Sequence, residues 1–180
     1  MDAKKTTALL GLAFLIFLVL SYFENLFFFS VVGDITQNQF LAVIMLFVHN
    51  ILVVSLIMLG MTFYVNLVLL NFFKREKYSH IVLEHPGTFA IAFTIMILFL
   101  SILRGAIIIY GRISIEDLPA ILLISAPMGI IEGYGIYLTI KKTLSRTMSM
   151  KDLAFIYGIF FIAAIIEVGF INLLISVTTR

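Results

Sequence analysis

Four ionisable residues stand inside long apolar runs of this chain: Glu24, Arg104, Glu132 and Glu167. A charge inside a bilayer is costly. Each must therefore face protein or water and find a partner, and each is a candidate for function. Measured along helices, Arg104 lies about 7 Å outside the bilayer midplane, Glu167 about 5 Å outside and Glu24 about 9 Å outside. Glu132 lies about 5 Å on the inner side. His49 and Asn50 fall near the outer end of the span they precede. These depths predict an outer polar cluster in which Arg104 pairs with Glu167 or Glu24, close to His49 and Asn50. As structure, that is a buried ion pair fixing helix register. As function, it is a polar pathway or a docking site for a partner's helix. Glu132 has no cation at its depth and is the best single candidate for a functional group.

Glu132 also sits in an irregular stretch, Ser125-Ala-Pro127-Met-Gly129-Ile-Ile-Glu132-Gly133-Tyr-Gly135. Pro127 removes a helix hydrogen bond and predicts a kink. Gly129 and Gly133 have the small-xxx-small spacing that lets helices approach closely. Broken helices near the midplane often mark substrate sites in transporters, so Pro127, Gly129, Glu132 and Gly133 form a candidate motif. The plainer reading is a kink with a tight packing face.

Other chemistry is sparse. His80, Glu84 and His85 cluster near a predicted surface, but not at the spacing of the common zinc-protease motifs. Asn66, Asn71 and Asn172 are expected to hydrogen-bond between helices. There is no cysteine, hence no thiolate ligand or cysteine nucleophile. No phosphate-binding loop, serine elbow or dinucleotide fingerprint is present, so no cofactor and no enzymatic activity are expected. An intramembrane enzyme would need a metal at His80, Glu84 and His85, or paired carboxylates in a wet cavity.

The elements that position these residues follow from composition. Hydrophobic residues make up 62% of the 180 and charged residues 12%. A soluble domain carries about 25% charged residues. Too little polar material is left here to cover a water-facing surface, so lipid must be the main solvent. The fold class is an all-α membrane protein, a single domain of about five transmembrane helices. The net charge of +2 gives no reason to expect a nucleic-acid partner.

The expected spans are 7–29, 51–73, 87–110, 118–140 and 153–177. The first follows Lys4 and Lys5 and reads as a retained signal anchor. The loop 30–39 is polar. The run Phe40 to Phe73 has 34 residues, too many for one crossing and too few for two. His49 and Asn50 divide it. Residues 51–73 give a crossing of about 34 Å, with Asn50 as its cap. Residues 40–48 are left as a short interfacial or re-entrant helix. Pro86 suits a first helical turn, Asp117 caps the fourth span, and Ser149 to Asp152 has the pattern of a capping box.

Under five crossings Lys4, Lys5, Lys74, Arg75, Lys77, Lys141, Lys142, Arg146 and Lys151 share one side, against Arg112 and Arg180 on the other. The positive-inside rule then places the N-terminus in the cytoplasm and the C-terminus outside, in a cell membrane.

Two stretches together resemble a known family. One is Phe47-Val-His-Asn50, continuing through Gly60 to Leu70-Asn71; the other is Pro127-Met-Gly129-Ile-Ile-Glu132. They resemble the family of the stage II sporulation protein M, small membrane proteins of bacteria and archaea. In that family a Phe-x-x-Asn segment leads into a span with a mid-span Gly and a later Asn. A Pro-His-Gly-x-x-Glu motif follows, and a further Glu often stands in the last span, where Glu167 stands here. Met128 departs from the pattern, taking the place of the usual His. The resemblance covers roughly residue 40 to the C-terminus. It implies a five-span, non-enzymatic protein that acts as a scaffold or subunit of a membrane complex. The sporulation member itself anchors peptidoglycan-degrading proteins. The expected partners are lipid together with further copies of the chain or other membrane proteins. The alternative reading is a small transporter or channel, built as a homo-oligomer around the fourth span.

Overall fold

The computed structural model describes residues 3–35, 38–70, 72, 81–110 and 118–178, without the side chains of 29–35, 104–110, 118, 120, 121, 123–125, 127 and 174–178. The described residues are almost wholly helical and contain no strand. The helices are α1 (Ala3–Ile35), α2 (Gln39–Leu69), the single turn α3 (Ile81–Glu84), α4 (Pro86–Tyr110), α5 (Leu118–Leu144) and α6 (Met150–Thr178). Among the described residues, four of them, α1, α2, α4 and α6, are long and apolar enough to cross a membrane.

Their surfaces explain the composition. Along α1, Leu12, Leu15 and Phe23 are more than half exposed, at 56%, 59% and 61%. Such a surface is stable only against lipid or another apolar partner. The shared interior is small and lies where α2, α4, α5 and α6 converge. Val54, Ala90, Ile136, Ile140, Leu144, Ile156 and Phe160 fill it. With lipid on both sides of the comparison, apolar burial drives helix association weakly, and close packing and polar contacts must hold the bundle.

Close packing is provided at glycines. Gly11 of α1 receives the ring of Phe63, and Gly60 of α2 receives the ring of Phe14. The two contacts run in opposite order along the chain, so α1 and α2 are an antiparallel pair. Gly135 seats Phe160 of α6. A Cβ on Gly135 would lie 2.6 Å from that ring.

The structure corrects the expected boundaries. Residues 40–48 are not a separate interfacial or re-entrant helix. They form the first turns of one 31-residue α2. Its cap is Asn38, whose Oδ1 accepts from the Leu41 N–H at 3.2 Å; Asn50 lies well inside the helix. The physical reason is that His49 and Asn50 both find partners on neighbouring helices, so the polar pair does not require a break. The expected loop 30–39 is also shortened, because α1 continues to Ile35. At about 50 Å and about 46 Å, α1 and α2 exceed the hydrocarbon thickness and must tilt or protrude.

Other signals were read correctly. Pro86 is the first residue of α4. The Ser149–Asp152 capping box is reciprocal: Ser149 N–H donates to Asp152 Oδ2 at 3.0 Å, and Asp152 N–H donates to Ser149 Oγ at 3.2 Å. Asp152 also meets Lys142 Nζ at 3.3 Å, which ties α6 to the end of α5. Asp117 lies outside the described residues.

Candidate functional site

Successive residues on a helix point about 100° apart. His49 and Asn50 are successive on α2, so they serve two different neighbours. Among the described side chains this gives two polar groups.

His49 turns to α1. Its Nδ1 lies 2.9 Å and 3.2 Å from the two carboxylate oxygens of Glu24. Both side chains are largely buried, at 12% and 17% exposure. The His49 ring stacks on Phe28, one helical turn beyond Glu24, at 5.2 Å between centroids. Glu24 therefore has a partner on the adjacent helix. The Arg104 side chain lies outside the described residues.

Asn50 turns the other way, towards α5. It is buried, and its Nδ2 donates to Glu132 Oε1 at 3.3 Å. Glu167 of α6 lies close enough to Glu132 for their charges to repel. Asn50 of α2 and Glu132 of α5 thus meet near the middle of their helices, with Glu167 of α6 within electrostatic range of Glu132. Among the described residues no cation pairs with either carboxyl. A proton, a bound cation or a group beyond the described residues must then balance the charge.

The kinked-helix motif is only partly assembled. α5 continues unbroken past Pro127, whose side chain is outside the described residues. Gly133 packs tightly: a Cβ there would lie 2.8 Å from Leu98 Cδ1 and 3.7 Å from Thr94 Cγ2 of α4. Gly129 has open space where a Cβ would go. Of the small-xxx-small pair, only Gly133 makes a tight contact among the described residues. The tight glycines are Gly133 and Gly135, two residues apart, which point to different neighbours and serve α4 and α6 respectively. Sequence reading missed this because Gly135 fits no repeat of four.

Thr94 was also missed. It is buried beside Gly133, and among the described residues its Oγ1 has no hydrogen-bond partner. A threonine in an apolar run gives no advance sign of that. One asparagine, Asn172, departs from expectation as well. Asn172 uses its amide within its own helix, donating to the Val168 carbonyl at 2.8 Å. Asn71 and His80 lie outside the described residues, while Glu84 and His85 are exposed at the end of α3.

No protein-family model, curated protein or solved structure matches this chain. The site must be read from its own geometry. That geometry joins Asn50, Glu132 and Glu167, an acidic and hydrogen-bonded junction of α2, α5 and α6.

Proposed function

We propose that this chain is a non-enzymatic membrane protein that acts as a scaffold or subunit of a membrane complex, resembling the stage II sporulation protein M family. The reading includes five crossings, adding α5 as the fourth in chain order, and a cytoplasmic N-terminus set by the basic residues. The observation that carries it is the Asn50–Glu132 hydrogen bond. Asn50 belongs to the first stretch on which the resemblance rests, and Glu132 to the second. The two stretches are 82 positions apart in sequence, and their polar residues meet. Glu167, in the place of the family's last acidic residue, lies within electrostatic range of Glu132. A polar junction spent on joining three helices favours a structural part over a reactive one. The long apolar face of α1 supports the same reading, since it offers surface to a partner helix.

Gentle purification of the full chain followed by native mass spectrometry tests the proposal. A stoichiometric second membrane protein is the expected result. A lone monomer, with no partner captured by crosslinking in the membrane, would overturn it.

A second reading is transport, favoured by the two carboxyls that lack a described cation. Liposome flux assays with Glu132→Gln as control decide it. Cation or proton flux that disappears in the variant would replace the scaffold reading.

A further inference from the structure

A cavity of about 470 Å³ opens between α1, α2, α3 and α4. Its volume is within the range of ligand pockets, about 300–1,000 Å³. Phe14, Gly60, Val82, Phe89 and Phe93 line it, with Tyr64 as its one polar side chain. A polar ligand would lose its hydration there without replacement hydrogen bonds. The lining on α2 runs from Leu56 to Tyr64, about 12 Å along the axis, so the cavity is a lengthwise slot.

The slot has a charged end. Because α1 and α2 are antiparallel, the N-terminus of α1 lies beyond the Tyr64 end. Lys4 and Lys5 are exposed there, about 15 Å along α1 from Phe14. At that end of the bundle α5 also finishes in Lys141 and Lys142. An apolar slot with lysines past one end is complementary to a molecule with an apolar tail and an anionic head.

We propose that this cavity is a binding site for one anionic glycerophospholipid, with an acyl chain along Phe14, Phe89 and Phe93 and the headgroup phosphate at Lys4 and Lys5. Gly60 seats the Phe14 ring, which holds that ring as one wall of the slot. Tyr64 stands where the apolar chain gives way to the glycerol ester region, a position suited to an aromatic ring with a polar tip. The proposal does not depend on the scaffold reading.

The test is native mass spectrometry of the full chain in detergent, offered phosphatidylglycerol and phosphatidylcholine with identical acyl chains. One phosphatidylglycerol per chain should be retained, preferred by about tenfold, the order expected of lysines acting on an anionic headgroup. Lys4→Gln with Lys5→Gln should abolish that preference and leave lipid retention intact. Val82→Phe should reduce retention of both lipids by filling the slot. Equal retention of the two lipids by the unaltered chain would overturn the proposal. So would a dimer that buries the slot and holds no lipid. If Val82→Phe fails to fold, a reporter replaces it. The chain has no tryptophan, so Phe89→Trp introduces a single fluorophore. Quenching by brominated phosphatidylglycerol should saturate at one lipid per chain, and unsaturable quenching would count against a site.

Discussion

Asn50 donates its side-chain amide to Glu132 across 3.3 Å, joining α2 to α5 inside the bundle. Removing the donor leaves a carboxyl in an apolar setting without its hydrogen bond. Asn50→Leu should therefore destabilise the protein by about 1–3 kcal/mol. Glu132→Gln keeps a carbonyl acceptor and should retain most of the stability. A double-mutant cycle with Asn50→Leu and Glu132→Leu should give a coupling of about 0.6 kcal/mol, the usual size for hydrogen bonds between membrane helices. Thermal unfolding in detergent measures all three. Additive losses would show that the two side chains do not interact.

The Glu24–His49 contact makes a separate prediction, because it joins different helices. Glu24→Leu or His49→Leu should each cost about 1–2 kcal/mol. Exchanging the pair, Glu24→His with His49→Glu, should recover more than half of that loss. The exchange keeps the carboxylate–imidazole contact and gives up the stack of His49 on Phe28, so recovery should be incomplete. No recovery would place the value of the contact in that stack.

Glycines of α5 should differ sharply in what they tolerate. At Gly135 a Cβ would approach Phe160 Cε2 to 2.6 Å, and Phe160 is buried at 2% exposure and has little room to move. Gly135→Ala should cost about 1–3 kcal/mol as an overpacked contact. Gly129 faces open space. Gly129→Ala should be neutral, or stabilising by up to about 1 kcal/mol through helix propensity. Similar losses at both positions would contradict the packing of α5 on α6.

Much of this was legible in the sequence, for physical reasons. Lipid as solvent forces backbone groups to satisfy themselves, so apolar runs become helices. Pro86 and the Ser149–Asp152 pair act through local backbone geometry, which sequence specifies directly. What was not legible is which way a side chain turns. His49-Asn50 reads as a polar break until its neighbours are known. In the bundle the two residues point to α1 and α5, and the helix passes through them unbroken. Depth estimates placed Glu24 near His49, where the two meet, but set Asn50 and Glu132 apart because Asn50 was read as a helix cap. Depth also leaves rotation undefined, and rotation decides which neighbour each side chain meets. Gly133 and Gly135 raise the same difficulty: spacing found one of the two tight contacts, and only the rotation of α5 reveals the other.

The turn between α5 and α6 offers a prediction with two opposite signs. Arg146 has φ 58°, in the left-handed region that favours glycine. Its N–H bonds the Thr143 carbonyl at 3.0 Å, and the Thr147 N–H bonds the Lys142 carbonyl at 3.0 Å. This is the helix-ending pattern in which glycine usually occupies the position of Arg146. Arg146→Gly relieves the backbone and should stabilise by about 1 kcal/mol. Three residues later Ser149 begins the cap of α6, and Ser149→Ala removes its hydroxyl bonds to Asp152, at a cost of about 1 kcal/mol. Asp152 would keep Lys142, so the loss should be partial and the α5–α6 hairpin should remain intact. Thermal unfolding of the two variants should move in opposite directions. A loss in both would mean that the Arg146 side chain holds the turn through contacts worth more than its backbone strain.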